Sequence, residues 1–296
     1  MKNLIFLTLL IIPTALLAQG MDPLDQDLPV KWEELTSPDF ITAVEKSART
    51  CVIPLGIMEK HGPHMPLGTD LIDIREIATR AAEEEFTIIF PPFYFGQIYE
   101  AKQQPGTVAY SPHTVLTVLQ ETCDEIHRNG IEKIILVSGH GGNNSLLPYF
   151  CQMQLEKQKE YAVYLFRPED SDEFQEKLDG MRKTDWDGHA GETETSMMLA
   201  NRPELVKLDR ANSQSGKDLQ RLNSLSNAYT AIWWYAQFPN HYAGDGSFGT
   251  VEMGNLIIEN KVDQLVEMVR SVKADQKTIE LQKQFYKDSN NPLETE

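Results

Sequence analysis

The sequence is poor in cysteine. It has three in 296 residues, Cys51, Cys123 and Cys151, without the paired spacing of thiolate metal sites. This argues against a structural zinc site built on thiolates. Cys51 lies in an apolar, strand-like run and Cys123 on the apolar face of a helical pattern, so we expect both to be buried thiols. Export of the chain would permit a disulfide, which stays open as the alternative.

Basic residues are also scarce. The chain has 27 lysines and arginines against 44 aspartates and glutamates, for a formal net charge of −17. Nucleic acids and anionic membrane surfaces attract basic proteins. We therefore expect neither nucleic acid nor membrane as a partner. Part of the acidity could belong to a metal site.

Long apolar runs are missing beyond the N-terminus. Residues 1–18 combine Lys2, an apolar run from Leu4 to Leu17, and Ala18 at a plausible cleavage point. This pattern predicts a secretory signal peptide. The run is short for a membrane anchor, the alternative, which needs roughly 20 residues. We expect export to the periplasm or the extracellular space, with residues 19–296 forming a single domain.

Two common catalytic signatures are absent. No G-x-S-x-G is present, which argues against a serine hydrolase of the nucleophile-elbow type. The glycines at Gly139, Gly141 and Gly142 are not followed by Lys-Ser or Lys-Thr, so a phosphate-binding loop is a weak interpretation.

Strand-like and helix-like segments alternate along the chain. Strands are predicted near residues 51–55, 86–90, 133–137 and 161–166. Helices are predicted over 70–85, 113–128, 143–159 and 170–182, from the stretch 189–196 to Ala200, and from 249 or 250 onward. Asn143 or Asn144 is the expected cap of the third of these helices. Alternation at this spacing predicts an α/β fold, a three-layer α/β/α sandwich around a mostly parallel sheet.

Three polar motifs interrupt this pattern. They run from Glu59 to Asp70, from Ser138 to Asn144 and from Asp187 to Ser196. Glu59 and His61 are two residues apart, so in extended backbone both could face one cation, and Asp70 could bridge two. Carboxylate and imidazole ligands suit Zn²⁺ or Mn²⁺, with Fe²⁺ as a third candidate. The alternative for the first motif is a solvated polar loop in which the Glu-x-His spacing is incidental.

Together the three motifs resemble the creatininase family of metal-dependent amidohydrolases in order and spacing. The resemblance implies metal ligands at Glu59 and His61, a bridging carboxylate at Asp70, and a further ligand at His140. It also implies a creatininase-like fold and two divalent ions.

One position departs from creatininase itself, which carries a glutamate two residues after the histidine matching His140. This chain has Gly142 there. Relatives with a Gly-His-Gly-Gly-Asn turn resemble this chain in having an additional glutamate in the third motif, here Glu192. We therefore expect one ion on Glu59, His140 and Asp70, and the other on His61, Glu192 and Asp70.

The resemblance implies catalytic roles for two further residues. His189 matches a histidine that donates a proton to the leaving nitrogen, and Glu194 matches the partner that orients it. The alternatives are a helix-capping histidine and a structural carboxylate. His64 belongs to the first motif and is expected to be structural rather than a ligand.

The implied reaction is hydrolysis of a C–N bond in a small cyclic or linear amide by a metal-bound hydroxide. The partner is then a small-molecule amide, and the family resemblance also implies a homo-oligomer, often a hexamer. The alternatives are a formamide hydrolase or a lactonase on the same site, or a non-catalytic protein that keeps the metal.

Overall fold

The computed structural model describes residues 27–294. The predicted signal peptide, residues 1–18, lies outside the described residues, so its prediction stays untested. Within 27–294, no helix has the length and apolar character needed to cross a membrane.

Four parallel strands form one sheet. They are β1 (Thr50–Leu55), β2 (Ile88–Ile89), β3 (Lys133–Ser138) and β4 (Ala162–Leu165), in the spatial order β2-β1-β3-β4. Every pairing between neighbours is parallel, which confirms the prediction of a mostly parallel sheet.

Nine α-helices are assigned within the described residues. They are α1 (Ser37–Lys46), α2 (Thr69–Glu84), α3 (Pro112–Arg128), α4 (Asn143–Met153), α5 (Asp172–Met181), α6 (Glu192–Asn201), α7 (Trp233–Gln237), α8 (Val251–Ala274) and α9 (Lys277–Ser289). Several helices have an N-cap residue whose side-chain oxygen accepts a hydrogen bond from a backbone N–H of the first turn. Examples are Ser111 for α3, Ser171 for α5 and Thr250 for α8.

Helices cover both faces of the sheet because the strand residues alternate between two apolar clusters. Val52 and Ile135 join the cluster that contains buried residues of α2 and α8. Ile53 and Leu136 join the opposite cluster, with residues of α1, α3 and α4. Both faces of the strands are buried, as in sheets with helices on each side. The predicted three-layer α/β/α sandwich is confirmed.

The third predicted helix is shorter than expected and is capped differently. The helix α4 ends at Met153 rather than near residue 159. Beyond it, the carbonyl of Gln154 accepts a hydrogen bond from the Tyr286 hydroxyl of α9, so the chain turns away there. The cap position is Gly142, and the Asn143 side chain instead binds the Gln97 N–H and Ser138 Oγ.

Two other predicted features also differ. The strand predicted over 86–90 is reduced to Ile88 and Ile89, where the Ile89 N–H donates outward to Val30 O. Cys51 and Cys123 are buried free thiols, as predicted, and Cys151 is partly buried and also free.

The close packing of α6 on α8 yields a first prediction. A Cβ at Gly254 would lie 1.9 Å from the Ser196 carbonyl oxygen and 2.8 Å from Ala200 Cβ. Gly254→Ala must push the helices apart, and we expect a loss of about 1–3 kcal/mol in the free energy of unfolding, measured by chemical denaturation.

Gly180 in α5 provides the matched control, because a Cβ there meets no heavy atom within 4 Å. Gly180→Ala should raise stability by about 0.4–1 kcal/mol, since it restricts the unfolded chain without strain. Equal effects of the two substitutions would contradict the helix packing described here.

Candidate metal centre

The polar motifs meet at one edge of the sheet because β1 and β3 are adjacent and parallel. Leu55, the last residue of β1, pairs with Ser138, the last of β3. Glu59 and His61 follow β1, and His140 follows β3. Loops at the carboxyl ends of parallel strands are the usual place for ligand sites in such folds.

Asp70 lies between two imidazoles. It is in the first turn of α2 and is buried. Its Oδ1 is 2.9 Å from His61 Nε2, and its Oδ2 is 3.1 Å from His140 Nδ1. Each oxygen therefore faces a different histidine, which is the placement required of a carboxylate that bridges two cations.

Three overlapping groups of side chains could each hold a cation. In each group the ligand atoms lie within 4.8 Å of one another. The groups are Glu59, Asp70 and His140; His61, Asp70 and Glu194; and Glu59, His61 and His189. We call these six residues together the ligand cluster.

Two buried oxygens of the ligand cluster lack hydrogen bonds. Glu59 Oε1 and Asp70 Oδ2 lie 2.9 and 3.1 Å from His140 Nδ1, yet neither completes a hydrogen bond with any atom of the described residues. Unpaired buried carboxylate oxygens are costly. A divalent cation between them would satisfy both, so these donors fit a metal ion.

Charge compensation within the ligand cluster shows in its pKa values. Burial raises the pKa of Glu59, but the imidazoles of His189 and His140 outweigh it and hold that pKa well below its usual value. Burial lowers the pKa of His61, but nearby carboxylates, Asp70 foremost, raise it to about 10. The pKa of His140 is raised well above its usual value in the same way. Without a cation, the carboxylates hold a proton on the His61 ring.

Backbone carbonyls orient two of the histidines. His140 Nε2 lies 2.7 Å from Gln97 O, so an N–H there donates outward and Nδ1 faces the carboxylates. His189 Nε2 lies 2.9 Å from Lys60 O. Such hydrogen bonds fix the ring and its tautomer at metal sites.

The structure places Glu192 differently from the expectation. Its carboxylate accepts from the backbone N–H groups of Lys183 and Thr184 at 2.9–3.0 Å, and from Thr184 Oγ1. Glu194, two residues later in α6, has Oε2 3.9 Å from His61 Nε2 instead. Residues two apart in a helix point to nearly opposite sides. The geometry therefore favours Glu194 over Glu192 as the carboxylate that could share a cation with His61.

Gly142 fits this arrangement for a steric reason. A Cβ at this position would lie 2.3 Å from His140 Nε2 and 2.7 Å from Gln97 Oε1. A glutamate at position 142 would therefore displace the His140–Gln97 contact.

The remaining predicted site residues lie next to the ligand cluster. His189 Nδ1 is 3.7 Å from Glu194 Oε2, and the Ala190 N–H donates to that same oxygen at 2.6 Å. His64 Nε2 is 2.8 Å from Thr195 Oγ1, and its ring packs on Tyr242. Burial is the larger cause, and the nearby His61 the smaller one, that lower the pKa of His64 to about 4.

Sequence reasoning missed His241 and Trp234. His241 Nε2 contacts Glu59 Oε2, and the Trp234 indole N–H donates to His241 Nδ1 at 2.8 Å. Both residues come from the irregular segment 213–248. That segment has no periodicity or motif that could have singled them out.

A cavity of about 1020 Å³ lies beside the same segment. Its lining includes Lys183, Trp186, Gln214, Trp234, Phe238 and Tyr242. Trp234 lines the cavity and also packs against the His189 and His241 rings. The cavity and the histidines therefore have this side chain in common.

Comparison with known proteins gives a consistent result. The sequence profile of the family described as "Creatininase: Creatinine amidohydrolase" matches residues 33–269. The chain is 27% identical to creatinine amidohydrolase from Pseudomonas putida over 60% of this chain and 74% of that protein. It is 29% identical to the mycofactocin precursor peptide peptidase of Mycobacterium ulcerans, over 74% of this chain and 83% of the relative.

A solved structure shares the fold. A putative creatinine amidohydrolase from Bacteroides fragilis superimposes with a TM-score of 0.71 at 23% identity, covering 85% of this chain and 99% of that one. The profile match spans the sheet and all of the ligand cluster. The chain therefore belongs to the creatininase family of metal-dependent hydrolases.

Proposed function

We propose that this protein is a dinuclear metal-dependent amidohydrolase that cleaves a C–N bond of a small amide. The observation that carries the proposal is Asp70. Its two oxygens face His61 and His140, which belong to different ligand groups. One carboxylate shared between two sets of ligands is what a two-metal hydrolase requires.

The proposed ligand sets follow from the groups. Glu59, Asp70 and His140 would hold one ion, and His61, Asp70 and Glu194 would hold the other. Zn²⁺ and Mn²⁺ are the proposed ions, since both accept oxygen and imidazole ligands. Solved creatininases, at 21–22% identity and TM-scores of 0.71, are described in a Zn-Zn type and with Mn.

Divalent ions held by these residues would supply an acidified water and polarise the substrate carbonyl. The chain's own residues supply the rest. Glu194 is a third exposed and accepts the Ala190 N–H, so its carboxylate is held at the accessible side of the cluster. His189 Nε2 is engaged by Lys60 O, which leaves Nδ1 to carry a proton to the leaving nitrogen.

The substrate proposal rests on two relatives. One is a creatinine amidohydrolase and the other a peptide peptidase, and both reactions break an amide C–N bond. A third relative, at 24% identity over 245 residues, is a 3-dehydro-scyllo-inosose hydrolase from Thermotoga maritima. We therefore propose that the substrate is an amide. Whether it is a cyclic amide, a linear amide or a peptide is decided by the substrate panel described below. Export and homo-oligomer formation stay predictions.

Metal content is the first test. The purified protein should bind two divalent ions per chain by elemental analysis. Glu194→Gln should lose one, because a neutral amide replaces a carboxylate ligand. Glu192→Gln is the matched control and should keep both ions, although it should lose about 1–3 kcal/mol of stability as its charge-assisted hydrogen bonds weaken. The opposite pattern would restore Glu192 as the ligand.

Turnover is the second test. A panel of creatinine, a linear amide, an N-formyl amide, a short peptide and a lactone should show metal-dependent release of amine from at least one amide. Chelation should abolish that activity and added Zn²⁺ or Mn²⁺ restore it. Lactone cleavage without any amide cleavage would contradict the amide class, and metal binding without turnover of any substrate would favour a binding protein.

Metal loading should also release a proton. The pKa of His61 is raised to about 10, so its ring holds a proton at pH 7 without a cation. Binding requires neutral imidazole and must expel that proton. Calorimetry in buffers of different ionisation enthalpy measures the release, which should shrink in His61→Gln but not in the exposed control His113→Gln. Loading without proton release would contradict the charge state described above.

A further inference from the structure

His241 reaches the ligand cluster from the irregular segment 213–248. It is 2% exposed, and its Nε2 contacts Glu59 Oε2. The other Glu59 oxygen, Oε1, lies 2.9 Å from His140 Nδ1 without a hydrogen bond. The two oxygens of Glu59 therefore have separate surroundings, one toward His241 and the other toward the proposed ion.

Trp234 determines which nitrogen of His241 carries the proton. An indole N–H can only donate, and it lies 2.8 Å from His241 Nδ1. Nδ1 must then accept, so the neutral ring carries its proton on Nε2. That proton is donated to Glu59 Oε2. Trp234, His241 and Glu59 form a hydrogen-bonded chain with a defined direction.

The backbone around His241 is held in an uncommon conformation. Its φ is +51°, which is unfavourable for most residues with a Cβ. The two residues before it are fixed from outside the segment: Lys60 Nζ donates to Asn240 O at 2.7 Å, and Gln104 Nε2 donates to Pro239 O at 2.8 Å. Strained residues fixed by their surroundings are frequent at functional sites.

We propose that the Trp234–His241 pair positions Glu59 for metal binding, with His241 holding Oε2 so that Oε1 stays directed at the ion. Hydrogen bonds to metal ligands from outside the coordination sphere raise metal affinity in this way. The inference rests on the proposed metal site and adds two positioning residues to it, neither of which is a ligand.

The experiment compares metal affinity among four variants and the wild-type protein, by competition with a chromophoric chelator for Zn²⁺. Asparagine tolerates positive φ but is too short to replace the imidazole, so His241→Asn removes the contact with little backbone penalty. We expect affinity to fall about tenfold to a hundredfold. His241→Gln, whose amide N–H can reach Glu59, should recover part of it.

Trp234→Phe keeps an aromatic ring and removes the N–H, and should weaken binding by about tenfold. Trp233→Phe is its matched control, since the neighbouring indole N–H has no hydrogen-bond partner among residues 27–294, and its affinity should match wild type. Thermal unfolding of the metal-free proteins separates lost affinity from lost stability. If His241→Asn does not fold, the two tryptophan variants still decide the question.

Wild-type affinity in both His241→Asn and Trp234→Phe would overturn the inference, as would an equal loss in Trp233→Phe. The proposed function fails in a different way, namely when the wild-type protein itself binds no Zn²⁺ or Mn²⁺. The two failures are therefore distinguishable in one data set.

Discussion

The parallel pairing of β1 with β3 is the constraint on which the site depends. It places Leu55 opposite Ser138, so the chain leaves both strands at the same edge of the sheet. Glu59 and His61 on one side and His140 on the other are thereby brought together across about eighty residues of sequence. The helix α2 then delivers Asp70 between them, at a helix N-terminus where a carboxylate is stabilised.

Placing three carboxylates and three imidazoles in one largely buried cluster is electrostatically demanding. Burial opposes the charged forms of Glu59 and His61, and neighbouring groups of opposite sign restore them. Two oxygens nevertheless stay without hydrogen bonds. An isolated structural network would be expected to satisfy them, because buried polar groups are nearly always paired. The incomplete pairing makes the cluster a suitable candidate site for a cation.

The loops around the cluster act together through Lys60. Its carbonyl accepts from His189, while its ammonium group binds Gln104, Gln214 and the carbonyl of Asn240. One residue of the first motif therefore connects a candidate proton donor with the segment that carries His241. Burial lowers the pKa of this ammonium group, so its three acceptors compensate for lost solvation. An irregular segment is thus ordered by contacts with the site rather than by its own pattern.

Much of the fold was open to prediction, because apolar periodicity and βα alternation depend on local sequence. The strands β1 and β3, the helices α2, α3 and α8, and the covered parallel sheet follow from it. The helix α4 ends early because Tyr286 of α9 binds the chain beyond it, a contact between distant residues that no local pattern contains.

The sequence by itself determined the chemical type of the site: its motifs concentrate carboxylates and imidazoles, and their order matches one family. Tertiary structure decided which of them meet. Glu192 and Glu194 are both glutamates of one motif, but the helix turns them to opposite sides. The position of α6 brings Glu194, and not Glu192, near His61. His241 and Trp234 enter through a segment without local signal, because their roles depend on contact with Glu59, which lies 182 residues from His241.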